Sequence, residues 1–411
     1  MAHIKPFRAL RPKPALVEEV ATLPYDVMNT AEAKKMAEGR PNSFLHVSRA
    51  EIDLPEHIDV HSALVYEKAN ENFRKLIAEG VLLQEEQPCY YVYAQTMNGR
   101  RQFGIAACSS IDDYFSDTIK KHEFTRPEKE LDRIEHMKAV QAHVGPIFLT
   151  YPTNATIKDI VQQTCTHPPI YNFTTEDNIT HQLWIINNET IVDTITSVFA
   201  NYIPFTYIAD GHHRAASAAK VGLQLRKKNN DPTAEFNFFL SVLFPADELA
   251  IMDYNRLVKD LNGNSQEELL SKIKLLFDIE KVDEKEAKPT AANIFGMYLD
   301  GQWYRLNAKT SILKKDPIGV LDVSILQDNI LAPMLNITDP RTSTRIDFVG
   351  GIRGLAELKR RVDSGEHSIG FALYPVSLEQ LIAIADSGNV MPPKSTWFEP
   401  KLRDGILCHL F

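Results

Sequence analysis

Two periodicities divide this chain. "HSALVYEKANENFRKLIAEGV" (61–81) repeats its apolar positions at helical spacing and runs out at Gly80, which predicts an amphipathic helix. "NTAEAKKMAEG" (29–39) predicts a shorter helix, with Asn29 or Thr30 as N-cap and Gly39 as terminator. "PCYYVYAQTMNGRRQFGIAACSSI" (88–111) switches to β-rich runs on either side of Asn98-Gly99, a dipeptide suited to tight hairpin turns. "PEKELDRIEHMKAVQAHV" (127–144) is a helix opened by Pro127, with Thr125 as the expected N-cap. "GPIFLTYP" (145–152), "HQLWIINN" (181–188) and "FNFFLSVLFP" (236–245) read as buried strands, and "ETIVDTITSVFANY" (189–202) as helix. "PFTYIADGHHRAASAAKVGL" (204–223) reads strand, tight turn, helix, with Gly222 closing the helix. The first forty residues, interrupted by Pro6, Pro12, Pro14 and Pro24, are expected to be mostly irregular.

Hairpins and strand–turn–helix units occur together, so the predicted class is α+β with mixed sheets rather than a doubly wound sheet. Three regions are expected. Residues 1–85 form an N-terminal helical and loop region that contributes to the site. Residues 86–290 form the α/β core, and 291–411 a C-terminal α/β region with a ligand-facing tail.

Composition narrows the function. The chain has 411 residues, 44% hydrophobic and 24% charged, an ordinary globular balance. A net charge of −9 disfavours a nucleic-acid partner, whose backbone needs a basic face. No run of eighteen apolar residues predicts a membrane span, and the start lacks the apolar core of a secretory signal. The four cysteines are far apart and form no CxxC pair, which argues against structural zinc. A cytoplasmic location is the expectation.

The densest polar chemistry is "IADGHHRAAS" (208–217). Gly211 permits a turn that a Cβ would resist, and the following helix begins with N–H groups lacking intrahelical partners. Such an end attracts anions, and His212, His213 and Arg214 add donors beside it. Asp210 could instead face a divalent cation or a substrate hydroxyl, or simply cap the helix. "KKHEFTRPEKELDR" (120–133) brings His122, Glu123 and Arg133 to another helix start; Glu123 is a candidate base or magnesium ligand. The same stretch also reads as a solvated helix start laced with ion pairs. "LPYDV" (23–27) places Tyr25 and Asp26 in a proline-preceded loop, where Asp26 is either a catalytic acid or a turn residue. "FVGGIRG" (348–354) lacks the GxGxxG fingerprint of dinucleotide sites. "MPPKSTWFEPKLRDG" (391–405) forms a proline-stiffened tail in which Lys394 is a candidate ligand contact. No GxxxxGK[ST] loop is present, which sets aside the P-loop kinases.

"PFRALRP", "LPYDV", "KKHEFTRPEKELDR", "GPIFLTYP", "YIADGHHR" and "MPPKSTWFEPKL" together, in this order, resemble a bacterial and archaeal family known as a domain of unknown function, number one thousand and fifteen. Within it "ADGHHR" is similar to the loop of free serine kinases, which share a fold with the ParB and sulfiredoxin group. That resemblance implies a ParB/sulfiredoxin-like nucleotide-binding region in which Gly211, His212, His213 and Arg214 contact phosphates. It places Asp210 near magnesium or the acceptor hydroxyl, with Asp26, Glu123 or Asp210 to take the hydroxyl proton. Tyr25, His122, Arg133 and Lys394 then become substrate contacts. Sulfiredoxins carry a cysteine in this loop; this chain has none there, so sulfinic-acid reduction is not implied. The expected activity is phosphoryl transfer from ATP or ADP, with Mg2+, to the hydroxyl of a small metabolite, free L-serine leading. The alternative is a ParB-like nucleotide-binding switch without turnover. The expected partners are nucleotide and metabolite, with self-association an open possibility.

Overall fold

Asn98 and Gly99 both adopt left-handed backbone, with φ of 51° and 78°, and the hairpin they close lies at the heart of the fold. The computed structural model describes residues 1–411. In it Tyr90–Met97 and Arg100–Ser110 pair antiparallel on either side of this turn. A mixed nine-stranded sheet grows around them. Its order is Ile119–Lys120, Thr206–Asp210, Ile147–Tyr151, Phe238–Pro245, Arg100–Ser110, Tyr90–Met97, Thr180–Ile186 and Tyr171–Thr174, with Ile4–Lys5 paired to Arg100–Ser110. Two pairings are parallel, Thr206–Asp210 with Ile119–Lys120 and Phe238–Pro245 with Ile147–Tyr151; the others are antiparallel. Hairpins and strand–turn–helix links thus share one sheet, which is the α+β class expected.

The chain packs as two compact units, Met1–Leu249 with Pro400–Phe411, and Ala250–Glu399. The three expected regions divide the chain differently. Residue 85 is no boundary in the structure, because Ile4–Lys5 is a strand of the same sheet as Arg100–Ser110. Residue 290 falls inside the sheet of the second unit, between Phe277–Val282 and Ile294–Leu299. The tail 391–405 is split: residues from Pro400 onward belong to the first unit. There Asp404 bridges to Thr22 and Cys408 to Leu10, and His409–Leu410 pairs with Ala142–His143.

In the first unit the helix His212–Arg226 packs on the sheet through small side chains. Ala215, Ala218 and Ala219 share a core cluster with Ile208, Phe239 and Leu243. Gly222 does not end this helix, which continues to Arg226. A Cβ at Gly222 would collide with the Phe236 carbonyl oxygen, so the glycine marks close packing rather than a stop. Beside it runs Pro127–Val140, with proline in its first turn as expected; its N-cap is Arg126, however, and not Thr125. Thr125 donates its hydroxyl to Glu130 instead. The helix Thr30–Ala37 is closed by a capping box between Asn29 and Glu32.

The second unit is built on a six-stranded antiparallel sheet in the order Phe277–Val282, Gln302–Ala308, Ile294–Leu299, Ile369–Ala372, Tyr254–Val258, Ile346–Gly350. The helix Gly354–Asp363 contributes Leu358 to a core with Leu257, Tyr298 and Val349. No helix of the chain is long and apolar enough to cross a membrane.

Candidate functional site

Thr206–Asp210 shifts register against Ile147–Tyr151 between Ile208 and Asp210, a bulge after which Asp210 still pairs with Phe148 as the last residue before the turn. Gly211 then takes φ 95° and ψ 32°, and the helix starts at His212 with no side chain capping its end. Its first N–H groups are therefore free of the usual acceptor. Asp210 does not cap the helix; its Oδ1 accepts the Gly211 N–H at 2.9 Å. Arg214, only 6% exposed, folds back beneath the turn. Its NH1 donates to the Pro146 carbonyl at 2.6 Å, its NH2 lies 3.8 Å from Asp210 Oδ2, and its Nε has no partner. Burial opposes the Arg214 charge, but Asp26, Asp210 and Asp404 together hold the guanidinium more basic than usual.

A Cβ at Gly211 would stand 3.2 Å from Arg214 Nε, on a backbone that L-residues rarely adopt. Gly211→Ala is therefore expected to cost about 1–2 kcal/mol of stability, from left-handed strain, and to displace the guanidinium. Urea unfolding checks the first effect and anion affinity the second.

Asp210 is neutralised from within. Lys401 Nζ, carried by the C-terminal segment, approaches its Oδ2 at 3.2 Å. Burial pushes this carboxyl up, but Lys401 and Arg214 outweigh it and hold the group down at about 2. Both carboxylate oxygens are thus engaged and two cations already face them. A resident magnesium on Asp210, which the sequence suggested, does not fit this arrangement without displacing Lys401. No group of three or more His, Cys, Asp or Glu side chains is placed to hold a metal ion.

The histidines differ. His122 is fully buried, its ring edge-on to that of His212 at 4.5 Å and both of its nitrogens without a partner. The His122 backbone N–H donates to His212 Nε2 at 3.4 Å, and His212 Nδ1 lies 3.6 Å from the exposed Glu123 carboxylate. Burial pushes both imidazoles down to about 3. His213 Nε2 accepts the Arg126 N–H at 3.0 Å, and burial followed by Lys129 lowers its basicity. At neutral pH these rings are therefore neutral hydrogen-bonding groups.

Tyr25 and Arg133 form a second wall. The Arg133 guanidinium sits over the Tyr25 ring at 3.9 Å and pairs with Asp132 at 2.6 Å. Asp132 also accepts from Tyr66 at 2.9 Å. Arg49 donates to the carbonyls of Tyr25 and Met28, at 2.8 and 3.0 Å, and so fixes the loop. Tyr25, Asp26 and Arg133 line a cavity of about 380 Å³, together with Lys129 and His136. Asp26 is exposed, and its charge acts on Arg214, Arg133 and His213. The structure thus gathers Tyr25, Asp26, His122, Glu123, Arg133 and residues 210–214 in the first unit. Lys394 belongs to the second unit, its ammonium over the Tyr254 ring at 5.6 Å.

Asp404 was invisible as a candidate. It is 2% exposed, and its Oδ1 has no hydrogen-bond partner. Burial pushes its carboxyl up to about 7 against the pull of Arg214 and Arg133, with Asp26 adding to the rise. Its only sequence signal is its place between Arg403 and Gly405 in the basic tail.

Fold and site define an α+β protein whose charged centre is a glycine-hinged strand–helix junction. The chain belongs to the family described as "Protein of unknown function (DUF1015)", whose model matches residues 4–324. No curated protein matches the sequence. Among solved structures the chain is similar to a free serine kinase in complex with AMP, at 13% identity and TM-score 0.33, covering 71% of this chain and 89% of that one. It is similar to a conserved hypothetical protein from Pyrococcus furiosus, at 15% identity and TM-score 0.35, covering 72% and 93%. It is also similar to SbnI with C-terminal truncation from Staphylococcus aureus, at 12% identity and TM-score 0.39, covering 74% and 87%.

Proposed function

We propose that the first unit is a nucleotide-dependent phosphotransferase acting on the hydroxyl of a small metabolite, with free L-serine as the leading acceptor. The observation that carries this reading is the uncapped helix start at Gly211, with the Arg214 guanidinium folded beneath it. Backbone N–H groups and a preorganised cation there meet the charge that a transferring phosphoryl group spreads over its oxygens. Arg214 is held by Pro146 and Asp210, so little reorganisation accompanies binding. The neutral His212 and His213 contribute hydrogen bonds rather than charge.

The acceptor occupies the cavity beside Tyr25 and Arg133, whose guanidinium suits a carboxylate such as that of an amino acid. Asp26, exposed on this cavity, takes the hydroxyl proton as the nucleophile attacks. Glu123 lies across the loop, its carboxylate 3.6 Å from His212 Nδ1. The choice of serine rests on the resemblance of "ADGHHR" to the serine-kinase loop.

The test incubates the full chain with the magnesium salts of ATP or ADP, labelled in the terminal phosphate, and a pool of hydroxylated metabolites. The expected result is O-phosphoserine formed in a serine-dependent reaction. Asp26→Asn is expected to lower kcat by roughly two to four orders of magnitude, the span of general base catalysis, with nucleotide affinity unchanged. Binding without product would establish a nucleotide switch in place of a kinase. Absence of nucleotide binding would rule out both.

A further inference from the structure

We propose that the second unit carries a separate binding site for a small oxyanion, a phosphate or a carboxylate, formed by Arg256 and Arg341. Arg256 lies on the strand Tyr254–Val258, between Ile346–Gly350 and Ile369–Ala372, and is 2% exposed. Its NH1 donates to the Tyr254 carbonyl, and its NH2 to the carbonyls of Lys394 and Pro393 at 2.9 and 3.3 Å. The guanidinium also faces the Phe348 ring at 5.4 Å. Every one of these partners is uncharged.

A buried cation without a counter-ion is costly, by several kcal/mol after relaxation. The cost registers in the group itself: burial pushes the Arg256 guanidinium down to about 9, opposed only by Tyr254. Arginines buried for structural reasons ordinarily have a carboxylate beside them, as the buried Arg403 has Asp177. Arg256 instead lines a cavity of about 280 Å³, several times the roughly 30 Å³ that a water takes up in the liquid. Arg341 and Thr338 line the same space and are exposed donors. The lining carboxylate, Asp339, is held by Arg341 at 2.9 Å and leaves the Arg256 charge uncompensated. An oxyanion in this space would accept charge-assisted hydrogen bonds from the guanidiniums and neutralise the buried charge.

Calorimetric titration of the full chain with inorganic phosphate and with malonate, at constant ionic strength, tests this site. Saturable binding of either anion, one per chain at this site, is the expected result. Arg256→Lys, which keeps the charge and loses the fork, should weaken it at least tenfold, and Arg341→Gln about tenfold. Arg214→Met, altered in the first unit only, should leave that binding in place. The proposal is overturned if neither anion saturates, if both arginine variants of the second unit bind like the parent, or if binding disappears with Arg214→Met. Should Arg256→Lys fail to fold, the exposed Arg341→Gln decides alone: unchanged affinity overturns the site.

Discussion

An Arg214→Met protein is expected to lose the nucleotide binding proposed for the first unit and about 3–5 kcal/mol of stability, the cost of stripping one partner from a buried charge network. Methionine fills much of the volume, so packing is largely kept and the loss is electrostatic. The Pro146 carbonyl loses its 2.6 Å donor, and Asp210 keeps Lys401 and the Gly211 N–H but loses its second cation. Asp26 and Asp404 lose one of the two guanidiniums that act on both, and Arg133 remains. Arg214→Lys separates the two consequences. A lysine restores positive charge and part of the stability, but it cannot reproduce the planar fork. Urea unfolding reads the first effect and nucleotide titration the second. Parent-like nucleotide affinity in the methionine protein would remove this residue from the site.

The second large effect is a pH dependence that belongs to Asp404. In the unfolded chain this carboxyl titrates near 3.8, and in the fold burial raises it to about 7. The folded state therefore holds a proton that the unfolded state has released between these values. Stability from this group is present in full below about pH 4, declines through the interval, and is gone above about pH 7. The total is on the order of 4 kcal/mol, since each tenfold change in proton affinity is worth about 1.4 kcal/mol. Asp404→Asn cannot ionise. The stability gap should thus open in favour of the variant from pH 4 to 7 and stay constant beyond.

Neighbouring groups act with the other sign. His122 and His212, lowered to about 3, penalise the folded state as pH falls below their ordinary range. Asp210, held at about 2, contributes stability that is lost only at still lower pH. These three groups are common to the two proteins, so the difference curve isolates Asp404. Denaturant midpoints at four or five pH values read it, and parallel curves would show that Asp404 is ionised in the fold.

Much of the candidate site was legible because its parts are local. Gly211 between an apolar run and an alanine-rich stretch announces strand, turn and helix, since a tight junction there needs positive φ. The association of Tyr25 with Arg133 was only half legible. Both residues stood out, but their stacking depends on Arg49, 24 residues beyond Tyr25, holding the loop by its carbonyls. Gly222 misled for a physical reason. Helix-ending glycine and close-packing glycine are the same letter, and only the Phe236 carbonyl distinguishes them.

What the sequence by itself determined is therefore what short-range forces decide. The Asn98-Gly99 hairpin, a helix start at Asn29 or Thr30, Pro127 in the first turn of its helix and the strand–glycine–helix junction each follow from conformational preferences within a few residues. The tertiary structure alone decided which charges meet. Lys401 reaches Asp210 across 191 positions, and Asp404 is buried beside Arg214 and Arg133 because the C-terminal segment returns to pair with Thr22, Leu10 and Ala142–His143. The protonation of Asp404 and the engagement of Asp210 depend on distance and dielectric, and both are set by the path of the whole chain rather than by any stretch of it.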